Sequence, residues 1–288
     1  MTMHKLILLV VFFGAAEIVN ATDEEACLPA GDSSRIVAAG GSIAEMLYAL
    51  EAGGLIVAVD STAAYLPETS TLPSVGYVRN LSAEGILTLK PSLILGEHDM
   101  GPVEVLNQIS SVEVEVKRIE ERHSTQGIID KFLCIARVVS KEDTAREILK
   151  KQFAQIVASL EKPDVGSANL PRAALVLNFV DNQPIVAGAN TSGDGLLRMA
   201  GAQNIFSDIE GWKPLSRELL IAANPQHLVV TERALRSIGG LEGMFSDPLL
   251  ASTDALENNS VHVYAGMSLL GFGLQTLEVA LSLKDAIK

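Results

Sequence analysis

The stretch RIVAAGGSIAEMLYAL, residues 35–50, decides the fold class. Ile36 to Ala39 is an unbroken apolar run, which reads as a strand covered on both faces. Gly40-Gly41 turns the chain, Ser42 is a residue type that caps helices, and Ile43, Met46, Leu47 and Leu50 recur at helical spacing. Gly53-Gly54 ends that helix, and LIVAV at 55–59 is a second buried strand running into Asp60. Leu93 to Leu95 and Val112 to Val116 read as two more strands, with helical segments between. Strand–helix alternation of this kind predicts an α/β lobe built on a mainly parallel sheet.

Outward from that lobe, Thr125 to Leu160 is helical almost throughout. Ser140-Lys141-Glu142-Asp143 breaks the pattern and starts a helix over 142–161, which Pro163 and Gly166 stop. Alternation then resumes, with strands at Ala173–Phe179 and Leu228–Val230 and a helix at Gly193–Met199. The expected organisation is a lobe over 22–139, a linking helix over 140–163 and a second lobe over 164–288. An internal echo relates the lobes. Leu81-Ser82-Ala83-Glu84 precedes Pro91 and a buried strand, and Leu215-Ser216-Arg217-Glu218 precedes Pro225 and another. Each Ser stands nine residues before its Pro.

The 288 residues carry 22 Lys plus Arg against 35 Asp plus Glu, a net charge of −13, and 48% are hydrophobic. That is apolar enough for a large core, and the scattered basic residues argue against nucleic acid as a partner. Residues 1–21, MTMHKLILLVVFFGAAEIVNA, read as an export signal: Lys5, an apolar stretch from Leu6 to Ala16, and a small-residue cleavage site at Val19-Asn20-Ala21. The stretch is shorter than the ~20 apolar residues a membrane span needs, so a chain that is not itself membrane-embedded is expected. The two cysteines are far apart, and Cys134 lies in an apolar helical run, where the expectation is a buried, inert thiol.

Catalytic signatures are missing. There is no G-x-S-x-G, no phosphate-binding P-loop and no H-E-x-x-H, and the five histidines are isolated. Strand 35–39, Gly40-Gly41, a helix and then Asp60 approximate a dinucleotide fingerprint, but the glycines are adjacent where that motif spaces them G-x-G-x-x-G. An exported nucleotide-dependent enzyme is therefore a secondary reading. Gly76-Tyr77-Val78-Arg79 is more pointed. In an extended loop Tyr77 and Arg79 fall on the same side, and a guanidinium beside a phenol favours the phenolate, a hard oxygen donor suited to ferric iron.

The block Gly76-Tyr77-Val78-Arg79-Asn80-Leu81-Ser82-Ala83-Glu84-Gly85 resembles the periplasmic haem-binding proteins of bacterial haem ABC transporters. The likeness continues through Leu89–Leu95, Ala187–Thr191, Ala200–Asn204 and Leu269–Gly273. It implies two Rossmann-like α/β lobes joined by a single long α-helix, with haem b as transported ligand in the cleft between them. It implies Tyr77 as iron ligand, Arg79 as its hydrogen-bonding partner, and Glu45 and Asp194 as acids that dock onto a permease–ATPase complex. Arg233 and Arg236 follow the strand Leu228–Val230 at its carboxyl end, a position suited to a haem propionate. The chain departs from the pattern where Asn178–Gln183 contains no His and where Leu274-Gln275 replaces Pro-Arg. A monomeric periplasmic carrier is expected, with a siderophore- or corrinoid-binding protein of the same fold as the alternative.

Overall fold

The computed structural model describes residues 25–162, 170–181, 183–248 and 250–288. The export signal expected at 1–21 and the helix stop expected at Pro163–Gly166 lie outside them. The first lobe holds a four-stranded, wholly parallel sheet. In chain order its elements are β1 (Ile36–Ala39), α1 (Gly41–Ala49), β2 (Ile56–Val59) and a small hairpin of β3 (Gly76–Tyr77) with β4 (Asn80–Leu81). Then come α2 (Ala83–Leu87), β5 (Leu93–Glu97), α3 (Val103–Ser110), β6 (Glu115–Ile119) and α4 (Thr125–Val138). The order across the sheet is β2-β1-β5-β6. Its central strand is fully buried on both faces, as the continuous apolar run requires.

Helices α5 (Glu142–Ile148) and α6 (Ala154–Leu160), with a π turn at Leu149–Phe153 between them, lead towards the second lobe. That lobe contains β7 (Arg172–Val180), β8 (Gln183–Ala187), α7 (Ser192–Met199), β9 (Gln203–Asn204), β10 (Trp212–Pro214) and α8 (Arg217–Ala223). These are followed by β11 (His227–Thr231), α9 (Glu232–Ser237), α10 (Gly240–Ser246), α11 (Asp254–Glu257), β12 (Val261–Tyr264), α12 (Gly266–Leu270) and α13 (Leu274–Ala286). The sheet runs β10-β8-β7-β11-β12 and is mixed: β7, β11 and β12 are parallel, while β8 is antiparallel to β7 and β10. The short connection from Val180 to Gln183 can join only antiparallel neighbours, which is why this half departs from the parallel expectation.

One hydrophobic core crosses both lobes. Ile36, Met46 and Phe132 belong to the same buried cluster as Leu175 and Val229, joined by Leu277 and Leu283 of α13. Helix α13 packs on α6 and α7 but also on α1 and α4, so the chain's last helix buttresses the first lobe as well as its own.

Three local expectations change. Strand β6 lies at 115–119 and not at 112–116, because Val112 is exposed in a turn where Glu113 takes a positive φ of 64°. Ser42 does not cap α1; Gly40 occupies the cap position, and the Ser42 hydroxyl turns inward to Glu97. Gly76 adopts φ 91°, so glycine serves there for backbone freedom. Cys134 is not an inert thiol: it forms a disulfide with Cys27, 107 residues away, because α4 turns it towards the segment that Ala30 anchors by donating to the Val138 carbonyl. Among the described residues, no helix is long and apolar enough to cross a membrane.

Candidate functional site

Asp60 builds the platform for the site. It is fully buried at the end of β2, and its carboxylate accepts from four donors: the backbone N–H of Gly40, the N–H and hydroxyl of Thr62, and the N–H of Val78. Burial pushes its pKa up, against the pull of those donors. Both of its oxygens are thus committed to holding the β1–α1 turn against the β3–β4 hairpin, and the ribose-binding role of a dinucleotide fold is closed to it.

The hairpin presents two residues by burying their neighbours. Val78 and Leu81 pack into the core, and the hairpin is laced to the loop after β5: Gly101 N–H donates to the Val78 carbonyl at 2.9 Å, and Leu81 N–H donates to the Gly101 carbonyl at 2.8 Å. With Val78 inward, Tyr77 and Arg79 face out, Tyr77 being 45% exposed. Arg79 Nη1 donates to the Tyr77 hydroxyl at 3.0 Å, while its Nε donates to Asp99 Oδ2 at 2.6 Å and its Nη2 pairs with the same oxygen. The phenolic oxygen is thereby held against a cation at the carboxyl end of the first sheet, where open α/β sheets place their ligands.

Behind this surface lies a buried charged cluster. Lys131 Nζ donates to Glu121 Oε2 at 2.6 Å, to Ser42 Oγ at 2.7 Å and to the Gly271 carbonyl of the second lobe at 3.4 Å. The Ser42 hydroxyl donates to Glu97 Oε1 at 2.6 Å. Burial works to raise the Glu121 pKa, but the Lys131 ammonium and the His123 contact hold it down to about 2. Burial pushes Glu97 up to about 7, with the charges of Glu121 and Asp99 adding to the rise against Lys131. His123 packs against Phe272 of the second lobe, the rings tilted by 55° with centroids 4.8 Å apart.

The other residues singled out in the sequence are placed differently. Glu45 does not stand free at a lobe tip. It accepts from the Tyr65 hydroxyl at 2.9 Å and from the Gln275 N–H at 2.8 Å, so the carboxylate of one lobe caps α13. A side chain at Gly273 would run into it, its Cβ only 2.2 Å from Glu45 Oε2, which is why that helix begins on glycine. Asp194 is buried, accepting from the Asn204 side-chain amide at 3.0 Å and pairing with Arg198 at 3.3 Å. Both acids are consumed by internal contacts because each sits in the first turns of a helix packed against other elements. Arg233 and Arg236 are exposed on α9, directly after β11, with Arg236 3.5 Å from Glu232. The structure brings Tyr77 and Arg79 together and leaves these arginines on the second lobe.

Exposed acids do occur in matching places on the two lobes. Glu84 and Glu218 occupy the first turns of α2 and α8, each behind a Ser whose hydroxyl accepts from the backbone three residues on. The repeated Leu-Ser-x-Glu pattern was the available signal for them. Among the described residues, no cluster of three or more His, Cys, Asp or Glu side chains could hold a metal ion.

A family model described as "Periplasmic binding protein" matches residues 36–266. The chain belongs to that family. Among solved structures, the periplasmic heme-binding protein RhuT from Roseiflexus sp. RS-1, in apo form, is 33% identical with a TM-score of 0.78, the match covering 89% of this chain and all of that one. The periplasmic heme-binding protein HutB of Vibrio cholerae is 32% identical with a TM-score of 0.77, over 88% of this chain and 98% of that one. A protein named vitamin B12-binding protein from Yersinia pestis is 27% identical over 207 residues, 71% of each chain. Membership of this family accounts for the two α/β lobes meeting at their sheets' carboxyl ends: Met267, just past β12, lies against Gly41, just past β1.

Proposed function

We propose that this chain is an exported periplasmic carrier of haem that binds its cargo between the lobes and delivers it to an inner-membrane ABC permease–ATPase complex. One observation carries the reading: a solvent-accessible phenol at the carboxyl end of the first sheet whose oxygen is held 3.0 Å from a guanidinium. A tyrosine oxygen presented in this way is a good axial donor to ferric haem iron. Tyr77 is then the iron ligand and Arg79 its support. Arg233 and Arg236, exposed at the carboxyl end of β11, are suited to the propionates of haem b. The chain works as a monomer, and its task is binding and release, with no turnover.

Docking on the permease falls to exposed acids. Glu45 and Asp194 are held by internal partners, so Glu84 and Glu218, one at a matching place on each lobe, suit basic pockets on a two-fold related permease better. Hemin titration followed by absorption tests the assignment: the wild type takes up one haem with a high-spin ferric spectrum, and Tyr77→Ala loses it. An unchanged Tyr77→Ala spectrum rejects Tyr77 as ligand. The vitamin B12-binding relatives support a second reading, a corrinoid in the same cleft. Cyanocobalamin that displaces hemin at equal concentration would favour it.

A further inference from the structure

Asp99 stands outside every motif in the sequence, twenty positions from Arg79, yet it holds the guanidinium from behind. Two donors of Arg79, Nε and Nη2, converge on Asp99 Oδ2, which leaves Nη1 as the group turned to the Tyr77 oxygen. The backbone fixes this geometry: Asp99 lies between Glu97, whose carbonyl accepts from Met100 N–H at 3.0 Å, and Gly101, which bonds both to and from the Tyr77 hairpin. The other carboxylate oxygen, Oδ1, is buried and has no hydrogen-bond partner among the described residues. A buried carboxylate oxygen without a donor is a cost to folding, and an exposed arginine–aspartate pair offsets little of it. Stability alone therefore gives weak reason for an acid here.

We propose that Asp99 is the positioning residue of the Tyr77 site, clamping Arg79 side-on so that one N–H is aimed at the phenolic oxygen, and tempering the guanidinium's charge so that the phenolate remains a strong donor to ferric iron. The inference rests on the haem reading for its second half; the clamp itself is a property of the protein without haem. An unopposed guanidinium draws electron density from the phenolate and weakens its bond to Fe(III) relative to Fe(II). The Asp99 charge moderates that pull. Losing the charge and losing the clamp have separable consequences, because asparagine retains an acceptor oxygen and alanine does not.

The test compares Asp99→Asn, Asp99→Ala and Asp99→Glu with the wild type, using hemin as the probe. With Asp99→Asn the ferric spectrum keeps its tyrosinate character and the reduction potential of the bound iron moves positive. With Asp99→Ala hemin passes to an apoglobin acceptor about tenfold faster, the effect of one charge-assisted hydrogen bond. Asp99→Glu returns both quantities towards wild type, which lost packing alone would not produce. Wild-type potential and transfer rate in both Asp99→Asn and Asp99→Ala overturn the tuning role. Crystal structures of the proteins without haem decide the clamp independently: Arg79 leaves the Tyr77 hydroxyl in Asp99→Ala, and an unmoved Arg79 overturns it. If the wild type takes up no hemin, the haem reading fails and with it the tuning role, while the clamp is still judged by those structures.

Discussion

Two tyrosines of the first lobe, Tyr65 and Tyr77, lie twelve residues apart and are set to opposite chemical tasks. Tyr65 is partly buried at the junction of the lobes and donates to the Glu45 carboxylate; burial and that charge drive its pKa far up, so its proton is locked in place. Tyr77 is half exposed and accepts from a guanidinium, so its oxygen is the electron-rich end of the contact. The same contrast holds for the regions around them. At the junction, Lys131 ties Glu121 to Ser42 and Ser42 donates on to Glu97, so the polar groups there are spent on one another. At the Tyr77 hairpin, the polar groups are arranged to leave one oxygen open to solvent. Side-chain identity therefore says less about function than whether the partner is an anion or a cation and whether water reaches the pair.

Substituting each tyrosine by phenylalanine tests the comparison most directly. Tyr77→Phe lowers hemin affinity by more than about 100-fold, or roughly 3 kcal/mol, without changing the melting temperature. Tyr65→Phe leaves hemin affinity unchanged and costs about 1 kcal/mol in a denaturant titration. Equal effects of both on binding would break the distinction.

Lys131→Met strikes the closed network, leaving Glu121 and Glu97 facing each other without a cation, and lowers stability by about 3–5 kcal/mol. Calorimetry at pH 7 measures it, and the loss shrinks in acid as the carboxylates protonate. Replacing both Cys27 and Cys134 by serine removes the link between α4 and the segment before β1. It costs about 2–4 kcal/mol through the unfolded chain while leaving the hemin spectrum intact.

Glu97 makes the most diagnostic change. Its pKa of about 7 in the folded protein lies above its ordinary 4.5, so the native state holds a proton that the unfolded chain releases between those values. The stability this proton contributes is complete below pH 4.5 and is lost as pH rises through 7. Glu97→Gln removes that slope, flattening the melting temperature between pH 4.5 and 7. The variant is more stable than wild type above pH 7 by up to about 3 kcal/mol. An unchanged pH profile would show that Glu97 is already ionised in the folded protein.

Much of this was legible in the residues themselves. Ile36–Ala39 and Leu93–Leu95 are so continuously apolar that only a strand buried on both faces suits them, and Ser82 and Ser216 do cap helices in matching places. The Tyr77–Arg79 contact also follows from local spacing, since alternate residues of an extended segment share a side. Val112–Val116 misled because alternation by itself does not fix where a strand starts, and pairing with β5 begins only at Glu115.

Short-range periodicity determined the strands, the helix caps and the tyrosine–arginine pair, since each depends on neighbours a few residues away. Tertiary packing decided the rest: that Cys27 meets Cys134, that Asp99 grips Arg79, and that Glu45 caps α13. Those partners are 20 to 230 residues apart, and no local rule connects them. Whether a charge is exposed and available or buried and paired is a property of the surroundings that folding assembles, and on this chain it separates the carboxylates that brace the lobes from the groups left open to solvent.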